Sequence, residues 1–206
     1  MKKSLKLLAI PLIIALGYFV FSQIVTSILS GPESTSSEAQ QITIGEELTS
    51  YRAVSVYQNG SFVVDDHGKH YSREGYYYGL KWQCVEFVKR FYFNAYHHRM
   101  PSVWGHAKSF FDPSLPHATL NPQRGMIQFQ NGGTTSPRPD DLLVFRGGTY
   151  GHVAVICAVR HNEIEVVQQN VLGKTRQTFP LIHKNGCYTI GKNNRPAGWL
   201  RIPPKE

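Results

Sequence analysis

One helical repeat followed by several strand-like runs constrains the fold of this chain more than any other feature. From Gln83 to about His98 the apolar residues recur at helical spacing, with Cys84, Phe87, Val88, Phe91 and Ala95 on one face. Glu86 and Arg90 stand four apart on another face, the geometry of an i,i+4 ion pair. After residue 140 the pattern changes. Leu142–Arg146, His152–Arg160, Glu163–Gln169 and Gly198–Ile202 are short runs rich in Val, Ile and Leu, the signature of strands. His161 and Asn162 alone separate the second run from the third, which predicts a tight hairpin. A helix followed by an antiparallel meander is the element order of an α+β domain. Residues 99–140, rich in Pro, Gly and His, read mostly as loops with a short helix near Val103–Phe111. Residues 42–65 read as an extended lead-in, and Gly75–Gly79 as a tyrosine-rich turn.

The domain does not begin at the first residue. Lys2, Lys3 and Lys6 are followed by residues 7–29, which carry no charge and are mostly apolar. Secretory apolar cores run to about 15 residues and membrane spans need about 20. Residues 1–29 are therefore expected to be an uncleaved signal anchor, with a signal peptide cleaved near Val25-Thr26-Ser27 as the alternative. The flanking lysines place that end in the cytoplasm and all that follows outside. The expected setting is a bacterial cytoplasmic membrane with the domain on its periplasmic or extracellular side, or secretion after cleavage. Residues 30–41 have the Ser/Gly/Pro/Gln composition of a linker, and the folded domain is expected over 42–206.

Composition narrows the function by exclusion. Apolar residues make up 41% of the 206 and charged residues 17%, which fits a globular core rather than a disordered chain. The net charge of +8 is scattered, with no basic run interleaved with aromatics, so a nucleic-acid partner is not expected. The nine histidines and three cysteines form no H-E-x-x-H motif and no cysteine cluster, so no metal or cofactor is expected. Asp65, Asp66, Asp140 and Asp141 lie beside Gly or Pro and read as turn formers.

Three cysteines cannot all pair, and a thiol left free outside the cell needs a use. Cys157 lies inside a strand and reads as a small hydrophobe. Cys84 opens the helix, where the helix dipole favours thiolate and unpaired backbone N–H groups can receive an oxyanion. Gln83 could add a side-chain amide donor beside it. His152 follows the turn Gly147–Gly151 and opens a strand, from which an imidazole can reach a helix N-terminus.

Trp82-Gln83-Cys84-Val85-Glu86-Phe87, Gly151-His152-Val153-Ala154-Val155-Ile156 and Gln169-Asn170-Val171 together resemble the CHAP family, the cysteine, histidine-dependent amidohydrolases/peptidases. The likeness is greater to one branch, the amidase domains of bifunctional glutathionylspermidine synthetase/amidases, which Asn185–Thr189 and Gly198-Trp199 also resemble. It runs from about Gly79 to Ile202. The resemblance implies a papain-like α+β fold with the nucleophile helix packed on an antiparallel sheet. It implies Cys84 as nucleophile, His152 as general base and acid, and Gln83 with the Cys84 N–H as oxyanion hole. Gln168 stands where the branch has a Glu that orients the histidine; its carbonyl could accept the Nδ1 proton. Asn170 matches a substrate-contacting or structural position, and Lys89 stands where the branch has an Arg.

The function expected is hydrolysis of a peptide-type amide through a thioester, on a polyamine conjugate of the glutathionylspermidine kind or, alternatively, on peptidoglycan. A catalytically weak wall-binding module is the third reading, kept open by the neutral Gln168. The topology has a direct test. A reporter fused after Glu206 should be active only if it is a type that works outside the cytoplasm; activity of a strictly cytoplasmic reporter there overturns the orientation.

Overall fold

The helical repeat is realised as α1, Cys84–Tyr96, in the computed structural model, which describes residues 42–192 and 195–204. Gln83 is its N-cap in an extended conformation, and His97 ends it in the left-handed region at φ 53°. The signal-anchor and linker assignments, residues 1–29 and 30–41, lie outside the described residues. Among the described residues no helix is long and apolar enough to cross a membrane.

Among the described residues twelve strands accompany the helix, every pairing antiparallel. Two hairpins precede the main sheet: β1 (Glu47–Tyr51) with β2 (Val54–Tyr57), and β3 (Lys69–Tyr71) with β4 (Tyr77–Leu80). The remaining strands form one eight-stranded sheet. They are β5 (Thr119–Asn121), β6 (Met126–Gln130), β7 (Leu142–Phe145), β8 (His152–Val159), β9 (Glu163–Val167), β10 (Arg176–Lys184), β11 (Cys187–Ile190) and β12 (Gly198–Arg201). The order across the sheet is β11-β10-β9-β8-β7-β12-β6-β5. The meander read from the sequence is its centre, and the chain returns at its end to insert β12 between β7 and β6. The expected hairpin closes with Arg160 N–H donating to the Glu163 carbonyl at 2.8 Å.

Strand alternation builds two cores. Leu142, Val144, Val153, Val155 and Leu200 face α1 and pack on Phe87, Val88, Phe91 and Tyr92. Leu143, Phe145, Ala154, Ile156, Ile164, Val166 and Trp199 face the other way and are equally buried. The second core is enclosed because the sheet curls onto itself. Gly132 N–H donates to the Tyr188 carbonyl and Tyr188 N–H to the Gly133 carbonyl, both at 2.8 Å, so β11 meets the turn that follows β6.

Several segments depart from the sequence expectation. The lead-in over 42–65 holds the β1–β2 hairpin, the tyrosine-rich turn runs into β4, and β5 and β6 lie within the stretch expected as loops. The short helix near Val103–Phe111 is a single 3-10 turn at Ala107–Phe110. Asp65 and Asp66 do cap turns, accepting from Phe62 N–H and Gly68 N–H. Asp140 and Asp141 do more: each is held by an arginine fork, Asp140 by Arg52 at 2.7 and 2.6 Å and Asp141 by Arg201 at 2.7 Å twice.

The Glu86–Arg90 pair is not a surface pair. Glu86 is 0% exposed and Arg90 6%, because the face they occupy is covered by β2, β3 and the segment after β9. Burial works to raise the Glu86 carboxyl, but hydrogen bonds from His70, Arg90 and Gln169 and the Arg90 charge together hold it below the ordinary range. Removing one partner of a buried pair strands the other. Arg90→Ala should therefore lower stability by about 3–5 kcal/mol. Arg99→Ala, at the exposed pair with Glu74, should cost less than about 1 kcal/mol. Denaturant unfolding of both variants measures the contrast; equal losses would contradict this account of the helix's buried face.

Candidate active site

The N-terminus of α1 is left open by its own residues. No side chain caps it. Gln83 is turned away: its Nε2 donates to the Val63 carbonyl at 3.2 Å and the Asp65 carbonyl at 2.8 Å. The Glu86 carboxylate is likewise occupied, so the first-turn N–H groups stay free of side-chain acceptors. A turn leads in, with Gln83 N–H on the Leu80 carbonyl at 3.0 Å. β4 runs hard against that first turn, and a Cβ on Gly79 would lie 3.1 Å from the Glu86 backbone.

Cys84 sits at this open end with a half-buried side chain packed against the helix-side core. Burial pushes its thiol pKa up, against lowering by the backbone N–H groups of Val153, Val85 and Cys84 itself. The expected lowering by the helix terminus is thus present and outweighed. The Val153 N–H is the informative neighbour, because Val153 follows His152 in β8 and sets the start of that strand beside the Cys84 sulfur.

His152 is aimed from the opposite side. Gly151 adopts φ 74°, and a Cβ there would come within 2.5 Å of the Phe145 carbonyl, so the turn into β8 admits glycine alone without rearrangement. Tyr150 carbonyl accepts from Lys108 N–H at 2.9 Å, which fastens that turn to the 3-10 segment. Burial lowers the His152 pKa and the hydrogen bond with Gln168 raises it in part, leaving it below the usual imidazole value.

Gln168 meets His152 through Nε2, at 3.0 Å from its Oε1. This corrects the Nδ1 contact expected from the sequence. The amide cannot flip freely, because Gln168 Nε2 donates to the Lys174 carbonyl at 3.1 Å and to Gln177 Oε1 at 3.3 Å. With Oε1 as acceptor, His152 carries its proton on Nε2 and presents Nδ1 as the lone-pair nitrogen.

The other expected site residues have different surroundings. Asn170, at φ 62°, donates through Nδ2 to the Val63 carbonyl at 2.7 Å and to Gln83 Oε1 at 2.6 Å, and accepts from Asn59 Nδ2 at 3.0 Å. It staples three loops with no donor left over. Lys89 is 0% exposed, so its ammonium faces the interior rather than solvent. Five positions after Cys84, it falls on the far side of the helix. Its Nζ donates to the Tyr77 and Val103 carbonyls and lies 5.0 and 5.1 Å from the Tyr76 and Tyr77 rings. Burial, with Arg124 nearby, lowers its pKa to about 8. Among the described residues no His, Cys, Asp and Glu group could hold a metal ion.

Sequence reasoning gave no role to Gln169. Its Nε2 donates to Glu86 Oε2 at 2.7 Å and to the Gln83 carbonyl at 3.1 Å; its Oε1 accepts from Tyr57 N–H at 2.7 Å and from Arg90 Nη2 at 3.4 Å. One buried amide thereby ties β2, α1 and the segment holding Gln168. The available signal was a polar pair inside a run of valines, where burial demands partners.

Residues 75–170 match the model of the CHAP domain family, a span that contains Cys84, His152, Gln168 and Asn170. The chain is 34% identical over 127 residues to the bifunctional glutathionylspermidine synthetase/amidase of Escherichia coli (strain K12), covering 55% of this chain and 20% of that protein. It is 28% identical over 142 residues to the trypanothione synthetase of Crithidia fasciculata, covering 62% of this chain and 22% of that protein. The chain thus spans about a fifth of the length of these curated relatives.

If Gln169 fixes the separation between the Cys84 helix and the Gln168 segment, its donor–acceptor pairing with Glu86 should matter more than its identity. Gln169→Glu, which sets two carboxylates face to face, should slow iodoacetamide alkylation of Cys84 at pH 7 by about tenfold or more. The swapped double variant Glu86→Gln/Gln169→Glu should recover most of that rate. No recovery in a double variant that folds would show that the bridge does not set the site's geometry.

Proposed function

We propose, with residues 75–170 identified as a CHAP domain, that this protein is a cysteine amidase that cleaves peptide-type amide bonds. The observation that carries the reading is the pinned imidazole. Gln168 holds the His152 proton on Nε2, which leaves Nδ1 as the basic nitrogen, and the residue after His152, Val153, meets the Cys84 sulfur at the uncapped helix end through its N–H. The amidase relatives support the same class of chemistry.

In the resting state both groups are neutral near pH 7, since burial raises the thiol and lowers the imidazole. The first step is then a coupled transfer. Cys84 gives its proton to His152 Nδ1 as the sulfur attacks the amide carbonyl carbon. The C=O π pair moves to oxygen, and that oxyanion faces the first-turn N–H groups of α1. His152 next delivers the proton to the departing amine as the C–N bond breaks, leaving a thioester on Cys84. Water then attacks the thioester with His152 as base, and the acid departs as the thiol is restored.

Gln168 acts in this scheme as a neutral acceptor that fixes the tautomer, the part Asn plays in papain-like triads. Gln83 contributes through its position and backbone, its amide being spent on Val63 and Asp65 carbonyls. The substrate is a peptide or a peptide-like conjugate.

Cys84→Ala should abolish turnover of a peptide amide without changing the unfolding midpoint. For the wild type, kcat/KM should rise with pH through a midpoint below the ordinary histidine value of about 6.5, because the base must be unprotonated and burial disfavours its protonation. Gln168→Glu adds an opposite charge beside the imidazole, favours imidazolium, and should move that midpoint upward; Gln168→Ala should lower kcat. A pH–rate series on the three proteins decides, and coincident profiles would remove Gln168 from the mechanism.

A further inference from the structure

A cavity of about 270 Å³, with Gln168 in its wall, opens between the β1–β2 hairpin and the segment 170–175. Two of its walls are one hydrogen bond from the proposed catalytic pair: Gln168 contacts His152, and Asn170 contacts Gln83, the residue before Cys84. A group seated there is held at a fixed distance from the thiol. The cavity owes part of its shape to an irregularity in β1, where the register slips between Glu47 and Thr49. Leu48 is the extra residue, and such bulges re-aim a side chain. Leu48 and Leu172, 45% and 58% exposed, form an apolar mouth above the fully buried Val56.

The chemistry of the lining is specific in what it lacks. None of its twelve residues is acidic, basic or histidine. An ammonium or a carboxylate entering it would lose water and gain no opposite charge, which is unfavourable. Most of the amides there are already spent: Gln168 on Lys174 and Gln177, Asn170 on Val63 and Gln83, Asn59 on Phe62 and Asn170. Gln58 is the exception. Its Oε1 is met only by Gly60 N–H at 3.5 Å, and its Nε2 has no partner among the described residues. A carboxamide with a free donor and a nearly free acceptor is complementary to one peptide group.

We propose that this cavity is a recognition pocket for an uncharged peptide residue of the substrate, one with a small aliphatic side chain and a backbone amide read by Gln58, and that it rejects a polyamine cation. The proposal deepens the amidase reading and depends on it only for the identity of the ligand as substrate. Leu48, Val56 and Leu172 take the aliphatic side chain, Gln58 the amide, and the walls at Gln168 and Asn170 register the occupant against the reacting bond.

Binding separates this proposal from the chemistry. With the full chain carrying Cys84→Ala, calorimetric titration with N-acetyl-alanyl-alanine amide should show saturable binding, and spermidine should bind more weakly. Adding Gln58→Ala should weaken the neutral probe by about fivefold. Adding Leu172→Asp, at an exposed position that leaves the core untouched, should weaken the neutral probe and strengthen spermidine. The pocket assignment is overturned if spermidine binds at least as tightly as the neutral probe, or if both substitutions leave both affinities unchanged. Failure of the amidase reading looks different: the Cys84 protein turns over no amide while the neutral probe still binds and still responds to Gln58→Ala and Leu172→Asp.

Discussion

A carboxylate without solvent, Glu86, is the constraint on which the rest of the structure depends. A buried charge must be answered from several directions. His70 answers it at 2.8 Å from β3, Arg90 from one turn along the same helix, and Gln169 at 2.7 Å from the segment after β9. β3 and the segment after β9 are thereby set around α1 before any reactive group is considered. The Gln169 amide then reaches the carbonyl of Gln83, the residue on which the helix starts. Cys84 and Gln168 are each adjacent in sequence to an atom of this network. Their relative position is a by-product of satisfying one ion in a dry place.

The electrostatics at the surface of that network follow the opposite logic. The backbone N–H groups of Val153, Val85 and Cys84 favour a thiolate, yet burial outweighs them and raises the thiol, while burial also lowers the His152 imidazole. The acceptor on the imidazole is an amide rather than a carboxylate, so no fixed negative charge draws a proton onto His152. Groups shifted in this way hold little thiolate at rest, and charge separates as the carbonyl oxygen becomes able to receive it.

Much of this was legible in the sequence where periodicity and burial coincide. The helix and strands β7, β8, β9 and β12 were, because their apolar positions are core positions. β10 was not, since Pro180 argues against an interior strand. The structure resolves the conflict. Pro180 stands opposite Glu163, where pairing with β9 ends, and pairing with β11 begins at Leu181, so the missing N–H falls between two ladders. β5 and β6 were hidden among prolines and glycines, with only eight strand residues between them. At the site, residue types and spacing pointed to Cys84 and His152, whose helix and strand the structure brings together. The surroundings of Lys89 and Gln83 were out of reach, because a lysine on an amphipathic helix reads as surface and an amide's partners come from residues distant in the chain. The resemblance to CHAP proteins supplied the pairing of Cys84 with His152, and the match over 75–170 bears that family assignment out.

The curl of the main sheet has a consequence for the protein in crowded surroundings. Strand edges carry unpaired N–H and C=O groups and can recruit further strands from other chains. Here one edge, β11, is consumed by the turn at Asn131–Gly133. The other, β5, is three residues long, and Pro122 follows its last residue. A template of that length offers a growing fibril almost nothing to read. Among the described residues the eight-stranded sheet therefore offers little open edge for pairing with a strand of another chain.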